Sequence, residues 1–423
     1  MSSTSDPTAS TAGSGEADLD TTVEQFILVL LALFLGIFGV SLIGVLRGHF
    51  EYNPDAAYGL LLFLAGFQII VRGKTPVGDF QRSPLVVGLG FLLATVGLLG
   101  SFIPGLGVTG LRITAGVLMT VGAPLLLYSS WTRPRKARYW WRTGGLIRHL
   151  AWATTEVYLM TFALGVVTLL PGLASGALVM ALCFIGAAAV LHLVATELLV
   201  SRKYPLQWKQ RDATVIGAGA RGHLLQRSGL DFSVALIILF GLILVLLGGL
   251  LILVNRGVLL FSPHGQFAII LTIMAIKIGC LGQTPIGTFR RTWIIRIAAL
   301  ICAGLGIASA IVPEAVPDQV RLILGILNIG GGAIALWSTF SAKMADLRNP
   351  PAELEPIRGR LRYLWFNLVL QGAVSILFGL TAVIHGLLSI TVTAVILLVY
   401  GILLFDLARV SNGLMKLYPE FAT

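Results

Sequence analysis

Several stretches of the chain carry residue types at spacings that could do chemistry. Gly73-Lys-Thr-Pro-Val-Gly-Asp-Phe-Gln-Arg82 returns later as Gly282-Gln-Thr-Pro-Ile-Gly-Thr-Phe-Arg-Arg291. Turn-forming glycine and proline can leave backbone N–H groups open to an anion, with Thr75 and Arg82, or Thr284 and Arg291, adding a hydroxyl and a charge. The simpler reading is a tight turn joining two helices. In the stretch 131–152, Arg133, Arg135, Lys136 and Arg138 lie among Trp131, Tyr139, Trp140, Trp141 and Trp152. In a soluble protein that interleaving points to stacked bases and phosphates. Between apolar runs it suits a belt at head-group depth, so anionic lipid head groups are the expected partner and nucleic acid is not.

Ionisable residues inside apolar runs are costly and default to functional candidates. Glu156, Glu197 and Lys277 lie within about two turns of the basic ends of their runs, where side chains snorkel or pair with head groups. His192 and Asp406 lie deeper, at a separation of 214 (406 − 192) that also relates Tyr204 to Tyr418. They are therefore a candidate intramembrane polar pair if their two helices meet; otherwise each faces another helix. Gly217-Ala-Gly219-Ala-Arg-Gly222 has dinucleotide-binding spacing, but an apolar span follows where βαβ structure is required, so it reads as linker. The sequence holds no P-loop, no His-Glu-x-x-His and no serine nucleophile elbow. The expectation is a protein without a catalytic centre, cofactor or metal.

The elements that must position these residues follow from hydropathy. A mean hydropathy of +0.90, with 56% hydrophobic and 12% charged residues, excludes the soluble class, where about a quarter of residues are charged. The 49 glycines fit helices that approach closely in lipid. Cys183, Cys280 and Cys302 all fall in apolar runs, which argues against a disulfide framework. Runs near the roughly 20 residues that cross a bilayer occur at about 25–46, 55–71, 84–103, 109–130, 150–171 and 175–200. Six more follow at about 233–254, 264–281, 292–312, 319–340, 363–384 and 388–410.

The two sets are copies. Gly73, Thr75, Pro76, Gly78, Phe80 and Arg82 recur at a separation of 209 (282 − 73), which also carries Arg47 onto Arg256 and Arg112 onto Arg321. Arg148 and Arg362, and Gly165 and Gly379, are 214 apart (362 − 148), placing the extra residues near 341–357. An even number of spans per copy makes the repeats parallel. Of the 30 lysines and arginines, only Arg47, Arg112, Arg256 and Arg321 fall on the side opposite the basic loops. By the positive-inside rule both termini and the basic loops are cytoplasmic, in a bacterial or archaeal cell membrane.

The sequence thus predicts an all-α integral membrane protein, with twelve transmembrane helices as two parallel six-helix repeats built from helical hairpins. Residues 1–23, rich in Ser, Thr and acids and without a basic leader, read as a disordered cytoplasmic tail. Residues 24–200 form the first repeat, 201–231 a basic cytoplasmic linker and 232–423 the second repeat. Hairpins such as 162–198, with Gly165, Pro171, Gly176 and Gly186, resemble those of the small six-span HdeD-type acid-resistance membrane proteins, as a tandem duplication of one unit. That resemblance implies a role in membrane stress tolerance or organisation. Two other readings stay open: a secondary transporter or channel with a site between the repeats, and a structural subunit or assembly factor, as a homo-oligomer or in a membrane complex.

Overall fold

The computed structural model of the chain describes residues 23–72, 74–75, 78–79, 83–132, 136–173, 175–204, 232–280, 293–313, 317–341, 358–384 and 387–417. These fold as helices α1 Val23–Leu46, α2 Pro54–Arg72, α3 Pro84–Phe102, α4 Val108–Thr132, the short α5 Lys136–Thr143, α6 Gly145–Leu169 and α7 Gly176–Lys203. Then come α8 Phe232–Asn255, α9 Pro263–Cys280, α10 Trp293–Ile311, α11 Pro317–Phe340, α12 Arg358–Val383 and α13 Ile390–Leu417. Eleven of these helices are long and apolar enough to cross a membrane. The remaining long helix, α9, has 18 residues and lies where the sequence predicts the eighth span.

Helix starts follow local chemistry. Pro54, Pro84, Pro263 and Pro317 open their helices, where a missing N–H costs nothing. Ser83 Oγ accepts from Val86 N at 3.3 Å and Ser175 Oγ from Leu178 N at 3.3 Å, satisfying N-terminal donors that would otherwise face lipid. Two short strands, β1 Lys74–Thr75 and β2 Gly78–Asp79, pair antiparallel, Lys74 with Asp79 and Thr75 with Gly78. The described residues of the first Gly-x-Thr-Pro-x-Gly segment thus form a small antiparallel ladder between α2 and α3.

Helices pack chiefly in six antiparallel pairs: α1 with α7, α2 with α3, α4 with α6, α8 with α13, α9 with α10 and α11 with α12. Glycine sets how closely they approach. A Cβ on Gly97 would sit 2.5 Å from Gly59 O, and one on Gly379 2.6 Å from Gly325 O, so these backbones meet with no room for a side chain.

At the centre, α1, α2 and α3 meet α8, α9 and α10 in one filled core that includes Leu30, Phe63, Leu98, Leu239, Ile269 and Ile307. Two backbone bonds bridge it: Asn53 N donates to Ile311 O at 3.1 Å, and Ser262 N donates to Phe102 O at 2.8 Å. Donors and acceptors are each 209 apart (262 − 53 and 311 − 102). Asn53 Oδ1 and Ser262 Oγ also cap equivalent turns, accepting from Ala56 N and Gly265 N at 3.2 Å each.

Three sequence expectations need adjustment. The described part of 131–152 is largely helical: α4 ends at Thr132, α5 spans Lys136–Thr143, and α6 begins at Gly145, the break between α5 and α6 being made by Gly144 and Gly145 at φ 75° and 55°. Helix α1 starts at Val23, inside the expected tail, and α7 continues to Lys203, inside the expected linker. The rest of the tail and residues 205–231 lie outside the described residues.

A candidate amphiphile cavity in the first helix group

Helices α1, α2, α4, α6 and α7 line an open cavity of about 380 Å³, within the range of about 300–1,000 Å³ of ordinary ligand sites. Its wall is mostly apolar, with Leu31, Phe34, Leu61, Leu118, Val157 and Leu164 among the lining side chains. The α4 lining runs from Arg112 to Ser130, about 27 Å at 1.5 Å rise per residue. That length approaches the roughly 30 Å of a bilayer's hydrocarbon core, so the cavity is long and narrow.

Its two ends are polar and differ in sign. At the end beside the short turns 47–53 and 103–107 lie Tyr52, Tyr58 and Arg112; at the other lie Gln68, Ser130, Trp140, Thr154 and Glu197. The buried Tyr52 hydroxyl lies beside that of Tyr58, and Arg112 Nε is buried and has no hydrogen-bond partner among the described residues. An orphaned donor of this kind costs about 1–3 kcal/mol. Tyr58 lies close enough to Arg112 to feel its charge. Burial pushes the Tyr52 phenol well above its ordinary range, which keeps that hydroxyl neutral and able to donate.

Trp140 ties the cavity to the basic-aromatic stretch. It lines the cavity from α5 and packs with Leu28, Ala32, Leu150 and Val194. Trp141 packs between Trp131 and Trp152 in tilted and edge-on contacts, with ring centroids 6.0 and 5.4 Å away, and the Arg148 guanidinium lies 5.3 Å from its ring centroid. Arg138 is exposed, as a residue of a head-group belt must be. Arg133 and Arg135 lie outside the described residues, as do Arg82, Thr284 and Arg291; of Lys136 and Thr75 the backbone alone is described.

The structure gives His192 and Asp406 separate partners. His192 Nδ1 lies 3.1 Å from Glu156 Oε2, and Asp406 accepts a hydrogen bond from Tyr363. Each bond joins neighbouring helices, α6 to α7 and α12 to α13. The central core is built by α1–α3 and α8–α10, with α7 packed on α1 and α13 on α8. Glu156 is thus paired with His192 rather than with head groups. Glu197 is 8% exposed and faces the cavity rather than snorkelling.

A second cavity, of about 160 Å³, lies among α8, α9, α11, α12 and α13. Its walls match the first: Ile237, Phe240 and Ile243 stand 209 after Leu28, Leu31 and Phe34 (237 − 28). Its polar groups are the neutral Asn328, Gln371, Ser375 and Tyr400. Ser375 Oγ donates to Asn328 O at 3.0 Å.

Sequence reasoning placed Arg112 in the repeat register and missed it as a cavity residue. The available signal was its position: one of four cations on the cation-poor side, a turn inside a helix. Together the helices and their cavity define a polytopic helical membrane protein. The chain matches no family model, and no curated relative or solved structure aligns with it at significant similarity.

Proposed function

We propose that this is a non-catalytic membrane protein of twelve spans in two parallel six-helix repeats, with cytoplasmic termini, that houses an amphiphile in its first repeat. Its role on this reading is membrane organisation or stress tolerance, which the resemblance to HdeD-type proteins supports. The observation that carries the proposal is the cavity: long, narrow, apolar along its walls and polar at its ends, the shape and chemistry of one extended chain with a head group. The repeat arrangement is supported by the paired backbone bonds of Asn53 and Ser262 and by the equivalent lining of the two cavities.

A transport site between the repeats is disfavoured, because the surface where they meet is filled by side chains such as Phe63, Leu98 and Ile307 at 0% exposure. The test is native mass spectrometry of the protein released from its membrane into mild detergent. A single bound amphiphile per chain is expected in the wild type, and its loss in Ala115→Phe, which projects a ring into the cavity. Equal retention by both proteins would place the amphiphile on the outer surface and defeat the proposal.

A further inference from the structure

We propose that the first-repeat cavity is selective for an anionic amphiphile, its head group held by Arg112 with the Tyr58 and Tyr52 hydroxyls and its chain extending toward Glu197. This assignment rests on the cavity being an amphiphile site, and adds the charge of the ligand and its direction.

The argument starts from charge. Arg112 is permanently ionised and lines a mostly apolar cavity. Among the described residues it has no ion-pair partner, and its Nε is buried without an acceptor. Arg112 is partly buried, and a guanidinium whose Nε lacks an acceptor at the polar end of an apolar cavity favours an anionic partner, since charge-assisted hydrogen bonds are the strong ones. Asp55, which opens α2 beside Tyr52, is not paired with Arg112: its Oδ2 accepts from Gly105 N at 2.8 Å, fixing the 103–107 turn, and its Oδ1 is buried without a hydrogen-bond partner among the described residues. Tyr52 and Tyr58 flank the guanidinium end, and hydroxyl donors complete the set that a phosphate or carboxylate recognises.

The opposite end sets the direction. Glu197 is the other charged group among the described lining residues, and an anionic head there would meet like charge in a low dielectric. From Arg112 to Ser130 the intervening α4 lining is Ala115, Leu118, Met119, Gly122, Ala123 and Leu126; on α6 the Thr161 and Thr168 hydroxyls donate to Val157 O and Leu164 O of their own helix, and Tyr158 is the remaining polar side chain between the ends among the described lining. The second-repeat cavity shares the apolar wall but has neutral polar residues in its lining, so selectivity for an anion belongs to the first repeat.

The experiment measures binding of two probes with one chain length, hexadecyl phosphate and hexadecanol, to the purified full-length protein in neutral detergent. Wild type is expected to bind the phosphate about tenfold or more tightly than the alcohol, the contribution of charge-assisted hydrogen bonds. Arg112→Gln should remove that preference by lowering phosphate affinity to the level of hexadecanol, and exposed Arg47→Gln should alter binding of neither probe. Arg112→Lys, which keeps the charge, and Tyr58→Phe should each weaken phosphate binding in part, and serve if the glutamine variant does not fold. Displacement of the bound phosphate probe by palmitate identifies a free fatty acid as the ligand class, and displacement by phosphatidylglycerol a membrane lipid. Equal losses in Arg47→Gln and Arg112→Gln, or equal affinity of wild type for the two probes, overturn the anionic assignment and leave the amphiphile site standing. Failure of both probes to bind wild type overturns the site itself.

Discussion

His192 shows how a single intramembrane residue finds its partner. Its imidazole and the Glu156 carboxylate are 46% and 42% exposed with 3.1 Å between them, so the contact lies on the outer face of α6 and α7. Polar contacts between membrane helices average about 0.6 kcal/mol in coupling cycles. A double-mutant cycle on His192→Ala and Glu156→Ala, scored by thermal unfolding in detergent, should give coupling of about 0.5 kcal/mol. The parallel cycle on His192→Ala and Asp406→Ala should be additive, because Asp406 is held by Tyr363 on a different helix pair. Coupling in the second cycle and none in the first would reverse this assignment.

Among the elements, the α2–α3 pair depends on absent side chains. Gly59 faces Gly97, and Gly66 faces Gly90, so that an added Cβ on any of them meets backbone of the other helix within 3 Å. Replacing Gly97 with leucine must push the helices apart, because the neighbours at 2.5 Å are Gly59 O and Phe63 N rather than yielding side-chain tips. We expect Gly97→Leu to destabilise by about 2 kcal/mol or more, in the range for overpacking a filled core. Gly36 in α1 is a control, with nothing within 4 Å of an added Cβ; there alanine should be neutral, or stabilising by up to about 1 kcal/mol through helix propensity. Thermal melts of both variants decide the matter, and a Gly97→Leu protein as stable as wild type would mean that α2 and α3 pack less closely than described.

At the scale of the molecule, the two helix groups hold together through a broad filled core rather than through the chain that links them. Leu30, Phe63 and Leu98 meet Leu247, Ile269 and Ile307, all at 0% exposure, and the Asn53 and Ser262 backbone bonds close the two ends of α2 and α9 on the opposite group. Two fragments made by interrupting the gene within 205–231 and co-expressed should therefore co-purify from the membrane. Reporters fused to the new ends should both register the cytoplasm, as the positive-inside rule requires. Fragments that insert but separate in mild detergent would show that covalent linkage, not the core, joins the groups.

The sequence by itself determined the membrane class, the helix positions to within a few residues and the internal duplication. These are local or periodic properties: spans follow from runs of apolar residues, starts from Pro54, Ser83 and Ser175, and the duplication from a fixed separation. It also marked intramembrane residues rare enough to matter, His192 and Asp406 among them, but not Arg112. Only the tertiary structure decided their partners, because a helix's face and neighbour depend on packing across pairs distant in sequence. Thus His192 meets Glu156 across α6 and α7, and Asp406 meets Tyr363. The cavity was invisible for the same reason. A void is the space left where five helices fail to touch, and it becomes a site because Arg112, an ordinary member of the repeat register in the sequence, lines it.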